Sequence, residues 1–114
     1  MPTYTKRLFS ASTNGQPILI ANTSTTIHTS INNATDFDEI WIWAQNTSAS
    51  AVNLTIQWGG TADPANAVKL QMAASSGSYL LVPGWLLNNS LVVSAVAATT
   101  NVISVTGFVN RITA

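Results

Sequence analysis

Asp38-Glu39-Ile40-Trp41-Ile42-Trp43-Ala44 decides the reading of this chain. Side chains on a β-strand alternate between two faces. One face of this stretch therefore carries Ile40, Ile42 and Ala44, and the other carries Trp41 and Trp43. A strand with one wet face alternates apolar with polar, whereas here both faces are apolar. One set must face an internal core, and the other must point outward and be covered by something else. A chain of 114 residues has little spare mass for that cover, so the stretch predicts contact with another protein surface.

The same period of two recurs along the chain. Val52, Leu54, Ile56 and Trp58 alternate with Ala51, Asn53, Thr55 and Gln57, and Val68, Leu70 and Met72 alternate with Ala67, Lys69 and Gln71. Ile27, Thr29 and Ile31 alternate with Thr26, His28 and Ser30. Further strands are predicted over residues 17–21, 39–46, 78–82, 91–98 and 101–112, all rich in the β-branched and aromatic residues that strands favour. Turn chemistry separates them: Asn14-Gly15-Gln16-Pro17, Gly59-Gly60-Thr61-Ala62-Asp63-Pro64, Ser75-Ser76-Gly77, Pro83-Gly84 and Asn88-Asn89. About eight short strands at this spacing predict an all-β, antiparallel β-sandwich, jelly-roll-like, with an immunoglobulin-like sandwich as the competing topology. The expected core includes Leu54, Ile56, Trp58, Leu70 and Val82. Single helical turns are possible over residues 62–67 and 84–88, and Gly107, which interrupts the last strand's alternation, suggests a bulge.

Residues 1–14 differ from the rest. They hold Lys6 and Arg7, half of the four basic residues, and alternate poorly. They read as an N-terminal arm, docked or flexible, before a sandwich domain spanning 15–114. Lys6, Arg7, Leu8 and Phe9 are the residues with which such an arm would grip a larger surface.

Composition narrows the function. Only 7% of residues are charged and 46% are hydrophobic, against a usual charged share of roughly 25%. Ser, Thr and Asn make up 38 of the 114 residues, a hydroxyl and amide surface suited to close contact with proteins or sugars. The net charge is zero, without the clustered Lys and Arg of a nucleic-acid footprint. No apolar run approaches the roughly 20 residues of a membrane-spanning helix. Nor does the N-terminus show the apolar core of a signal peptide, so the chain is expected to be made in a cytoplasm and left unprocessed.

Candidate chemistry is sparse. There is no cysteine and one histidine. A Ser-His-Asp arrangement must use His28, but its same-face neighbours Thr26 and Ser30 are polar, so His28 is expected to face water. Asp36, Asp38 and Glu39 form the only acidic cluster. Paired carboxylates serve glycoside hydrolysis and oxygen clusters bind calcium, yet the cluster lacks calcium-loop spacing and is expected to be a solvated turn that discourages misplaced edge pairing. Five Asn-x-Ser/Thr matches, at Asn22, Asn33, Asn46, Asn53 and Asn88, are treated as accidents of composition. Gly59-Gly60 has no following lysine and is not a phosphate loop. The sequence thus predicts no enzyme, no metal and no cofactor.

The apolar excess predicts self-association. Trp41 and Trp43, together with Val92 and Val96 from the second two-sided segment at residues 91–98, are the subunit-interface candidates, in a symmetric homo-oligomer expected to be a homotrimer.

Ile40-Trp41-Ile42-Trp43, Leu54-Thr55-Ile56-Gln57-Trp58-Gly59-Gly60, Leu81-Val82-Pro83-Gly84 and Val105-Thr106-Gly107-Phe108-Val109-Asn110-Arg111-Ile112 occur in that order. In this the chain resembles small structural proteins of tailed-bacteriophage virions, and in particular capsid decoration, or cement, proteins. The similarity spans most of residues 38–112 and rests on motif order, with no catalytic signature. The resemblance implies copies on the capsid exterior of a virion, commonly as trimers, bound to the major capsid protein and reinforcing the shell after synthesis in the host cytoplasm. The other class compatible with four tryptophans is a carbohydrate-binding fibre-tip or adhesin module, in which at least two aromatics should remain exposed.

Overall fold

The computed structural model describes residues 2–114. Over these described residues the protein is all-β, with nine strands: β1 (Thr3–Arg7), β2 (Ile18–Ile20), β3 (Thr25–Thr29), β4 (Phe37–Asn46), β5 (Val52–Trp58), β6 (Ala67–Met72), β7 (Tyr79–Leu87), β8 (Val92–Ala97) and β9 (Ile103–Thr113). They form two antiparallel sheets. The first has the order β1-β9-β4-β7, with β2 also on β9, and the second has the order β3-β8-β5-β6. Among the described residues no helix is long and apolar enough to cross a membrane.

Alternation does the structural work that the sequence promised. Ile40, Ile42 and Ala44 of β4 are fully buried, as are Ile56 of β5 and Val82 of β7. Inward residues of both sheets join in one apolar cluster. Leu54 is buried as expected, while Trp58 and Leu70 are half-buried at the margin. Trp58 meets Trp85 of β7 edge-to-face, with ring centroids 5.4 Å apart, the geometry that the ring quadrupoles favour.

Strand β9 organises the first sheet. Its inner flank pairs with β4 in unbroken register, from Phe37 opposite Ile112 to Asn46 opposite Ile103. Its other flank takes β1 opposite Thr113 to Val109, and β2 opposite Val105 to Ile103. β1 and β2 therefore lie end to end along one edge, as a single strand interrupted by residues 8–17.

That arrangement gives the N-terminal segment its form. Thr3–Arg7 is docked as an edge strand of the sheet, although every one of its side chains is exposed. Phe9 is a core residue, 3% exposed.

Three local expectations also change. Pro83-Gly84 does not end a strand but lies within β7, where the pairing with β4 shifts between Ile40 and Trp41. Gly84 has φ +80°, as the left-handed residue of a bulge requires, and Pro83 is tolerated because β7 is an edge strand. Residues 84–88 consequently form no helical turn, while Asn66 N–H does close a single turn onto the Ala62 carbonyl at 2.9 Å. Gly107 marks no bulge, because the β4–β9 register runs through it. It is glycine for space: a Cβ there would collide with the Trp41 carbonyl oxygen and come within 2.8 Å of the Phe9 ring.

Two substitutions test this packing. Ile56→Ala should lower unfolding stability by about 2–5 kcal/mol through the cavity it leaves. Gly107→Ala should cost at least about 2 kcal/mol, because the clash is with backbone and cannot relax by a rotamer change. Urea denaturation of each variant measures both; wild-type midpoints would refute the core and close-approach assignments.

Candidate functional site: an outward aromatic face and a buried polar cluster

The outward face of the first sheet is aromatic. Trp41 and Trp43 leave β4 on the side away from the core, and Phe108 leaves β9 directly opposite Trp41. The three rings lie mutually close, with centroids 6.2 Å apart for Trp41–Trp43 and 6.0 Å for each tryptophan with Phe108. The Trp41 indole is fixed at both ends. Its Nε1–H donates to Glu39 Oε1 at 2.8 Å, and its six-membered ring reaches over Gly84, where a Cβ would stand 2.8 Å from Cζ2. Asn110 Nδ2 donates to the same Glu39 oxygen at 3.2 Å. From β1, the Lys6 ammonium stands 4.7 Å from the Phe108 centroid, a cation–π contact. On the far side, Leu86 pairs with Glu39 and Leu80 with Trp43, and these leucines are 50% and 44% exposed.

The outward face of the second sheet is different. Ser94 and Ser24 hydroxyls both donate to Gln57 Oε1, at 2.8 and 2.7 Å, and Lys69 pairs with Asp63 at 2.6 Å beside them in the open. This sheet has the one wet face expected of an antiparallel sheet, and the first does not.

Several predicted residues are therefore separated. Trp41 and Trp43 lie on the first sheet, whereas Val92 and Val96 belong to β8 of the second, so these four form no single patch. Lys6 and Leu8 are exposed, as is Arg7, but Phe9 turns into the core and approaches His28 with ring centroids 6.4 Å apart. Phe9 is withdrawn from the contact set.

The acidic and histidine expectations also need correction. Asp38 is no part of a solvated turn and His28 does not face water: they are 0% and 2% exposed. His28 Nε2 lies 2.8 Å from Asp38 Oδ2. Arg111 grips the same carboxylate with two N–H groups, Nε to Oδ1 at 2.8 Å and Nη2 to Oδ2 at 3.0 Å, the fork geometry that suits a carboxylate. Ile31 N–H adds a bond to Oδ2 at 3.1 Å. On the other side of the imidazole, Ser10 N–H donates to His28 Nδ1 at 3.0 Å. Nδ1 is thus an acceptor, Nε2 carries the proton, and the ring is neutral. The Ser10 hydroxyl is turned away from the imidazole and accepts a bond from Thr29 N–H at 2.8 Å.

The electrostatics agree with that proton count. Burial pushes the His28 imidazole below its ordinary value, and the bond to Asp38 only partly offsets it. Burial alone would raise the Asp38 carboxyl, but the Arg111 and His28 bonds outweigh it and the net shift is downward. Among the described residues, no three His, Asp or Glu side chains gather as metal ligands.

The signal for Asp38 was in the sequence: it shares the inward parity of Ile40, Ile42 and Ala44. His28 was hidden by a bulge. The β3–β8 register shifts between Thr26 and His28, so consecutive Ile27 and His28 both turn inward and simple alternation fails. Comparison with family models, with curated proteins and with solved structures finds no match to this chain.

The cluster has a measurable consequence. Asp38 binds its proton less readily folded than unfolded, so the stability it contributes is present above pH 3.8 and is lost as pH falls below that value through the folded pKa. Arg111→Leu should destabilise the protein by about 3–5 kcal/mol at neutral pH, since it strands a buried charge. The loss should shrink in acid, where Asp38 can be neutral. Urea midpoints from pH 7 to pH 3 for wild type and variant read this directly; a pH-independent gap would contradict it.

Proposed function

We propose that this chain is a virion structural protein, a decoration or cement protein that binds the outer surface of an icosahedral bacteriophage capsid and stabilises the shell. Its partners are the major capsid protein and its own copies, in a homotrimer. The observation that carries the reading is the outward face of the first sheet, where Trp41, Trp43 and Phe108 are held in place among exposed leucines. Fixed aromatics in an apolar surround are what interface centres use. Neighbouring subunits would cover the two tryptophans, and Lys6, Arg7 and Leu8, exposed at the β1 edge, would meet the capsid.

Other features support the reading. The sequence resembles cement proteins in motif order. Eight strands, counting β1 and β2 as one, divide between two sheets of order β1-β9-β4-β7 and β3-β8-β5-β6, and every connection crosses between the sheets except the one joining β5 to β6, consistent with a jelly-roll connectivity. The buried His28 has both ring nitrogens engaged, which suits a structural role better than a catalytic one. Reinforcement of a lattice needs many modest contacts repeated over its surface, and multivalency makes such contacts strong.

The test has two arms. Analytical ultracentrifugation should show a trimer at micromolar concentration, and Trp43→Ser should shift it toward monomer. The protein should co-sediment with phage capsids, and a Lys6→Ser, Arg7→Ser, Leu8→Ser variant should remain folded but bind at least about tenfold more weakly. A stable monomer that ignores capsids, with tryptophan fluorescence that responds to a sugar panel, would replace this reading with a carbohydrate-binding module.

A further inference from the structure

We infer that His28 is an acid-sensitive latch on the N-terminal segment: protonation of its imidazole breaks the bond to Ser10 and releases residues 2–11 from the sheet. The inference is independent of the virion reading, because it rests on the geometry around one side chain.

The bond that closes the latch exists only while the imidazole is neutral. Ser10 N–H donates to Nδ1, and Nε2 already holds its proton toward Asp38. A second proton can enter only at Nδ1, where it would face the Ser10 N–H, donor against donor. The Asp38 carboxylate cannot accept that proton, because it stands at Nε2 on the opposite side of the ring, where its oxygens also take two bonds from Arg111 and one from Ile31.

Burial points the same way: it is the main cause that keeps the ring neutral, while Asp38 favours the extra proton and Arg111 and Arg7 oppose it. The charged groups that act on the ring are Asp38 of β4, Arg111 of β9 and Arg7 of β1, one anion and two cations. Protonation in place would add a third positive charge beside Arg111 and Arg7, on a ring that burial keeps from water. Release of the segment removes Arg7 from this set and lets water reach the ring. A ring restored to water regains the ordinary imidazole value of 6.5, above its value in the closed state. The open state therefore binds the proton more readily, and acid favours opening.

Besides the latch, the segment is held by two further hydrogen bonds, one buried side chain and the β1–β9 ladder. Beyond the latch bond, Ser10 is tied to β3 through its hydroxyl on Thr29 N–H, and Ala11 N–H bonds the Ile27 carbonyl at 3.2 Å. Phe9 supplies the only buried side chain. β1 exposes all five of its side chains and is held by its ladder to β9. Its release would uncover the β9 edge and lift Lys6 off Phe108, so acid would expose pairing groups and an aromatic ring together.

The experiment is hydrogen exchange on the full chain between pH 7.5 and pH 5, corrected for intrinsic exchange, with NMR observation of the imidazole. His28 is the sole histidine, so its ring signals are unambiguous. Protection of the amides in residues 3–11 should fall at least about tenfold on acidification while the β4 and β8 amides keep theirs. The Ser10 amide shift should move with the same midpoint as the His28 ring, below pH 6.5. In His28→Gln, which stays neutral, protection of residues 3–11 should not depend on pH. Should that variant fail to fold, the wild-type titration decides alone. Three results overturn the latch: a ring that titrates without moving Ser10, an equal acid response in His28→Gln, or loss of protection that spreads at once through the core.

Discussion

A single carboxylate ties this sandwich together. Asp38 has no exposed surface, and an ionised carboxylate without water must be fully bonded or it destabilises the fold. Its donors come from Arg111 on β9, His28 on β3 and the backbone of Ile31 just beyond, and His28 extends the chain of bonds to Ser10. Both sheets and the N-terminal segment thus converge on one charge. Asp38 and Arg111 are also direct register partners. A slip of one residue between β4 and β9 would turn Asp38 outward with Ile40 and Ile42, and it would part the ion pair. The polar cluster and the apolar core therefore select the same register.

The two outward faces follow from the same strands but have opposite character. On β4 a charge, Glu39, is held within the sheet face as the acceptor for Trp41 and Asn110, so its carboxylate is engaged by the aromatic cluster that it borders. On the second sheet the polar groups bond one another through Gln57 and two serines, and the surface remains hydrophilic. The sandwich is in this sense one-sided, and the proposed association uses the side that water solvates poorly.

Glycines permit the close approaches that such a face requires. Gly84 leaves room for the Trp41 indole across β7, and Gly107 lets β9 pass the Trp41 carbonyl with Phe9 beneath it. Both contacts surround one tryptophan, so the position of the aromatic face is set by backbone as much as by side-chain packing. The bulges of β7 serve the same end: the β4–β7 register shifts on either side of Trp41 and Ile42.

The all-β class, most strand positions and the inward residues Leu54, Ile56 and Val82 were legible in the sequence, because period-two alternation is a local property; alternation also set Ile40, Ile42 and Ala44 against Trp41 and Trp43, but only the structure decided which set faces the core. The outward direction of Trp41 and Trp43 followed once the isoleucines were assigned to the core. What the sequence did not disclose depended on partners far along the chain. Thr3–Arg7 has no inward side chains to announce a strand, and only its ladder to β9 makes it one. His28 reads as exposed until the bulge beside it resets the phase. Pro83-Gly84 reads as a turn until β4 draws it into an edge strand. Asp38 carried an inward parity, but the cation that neutralises it is 73 residues away, and only the tertiary structure brings the two together.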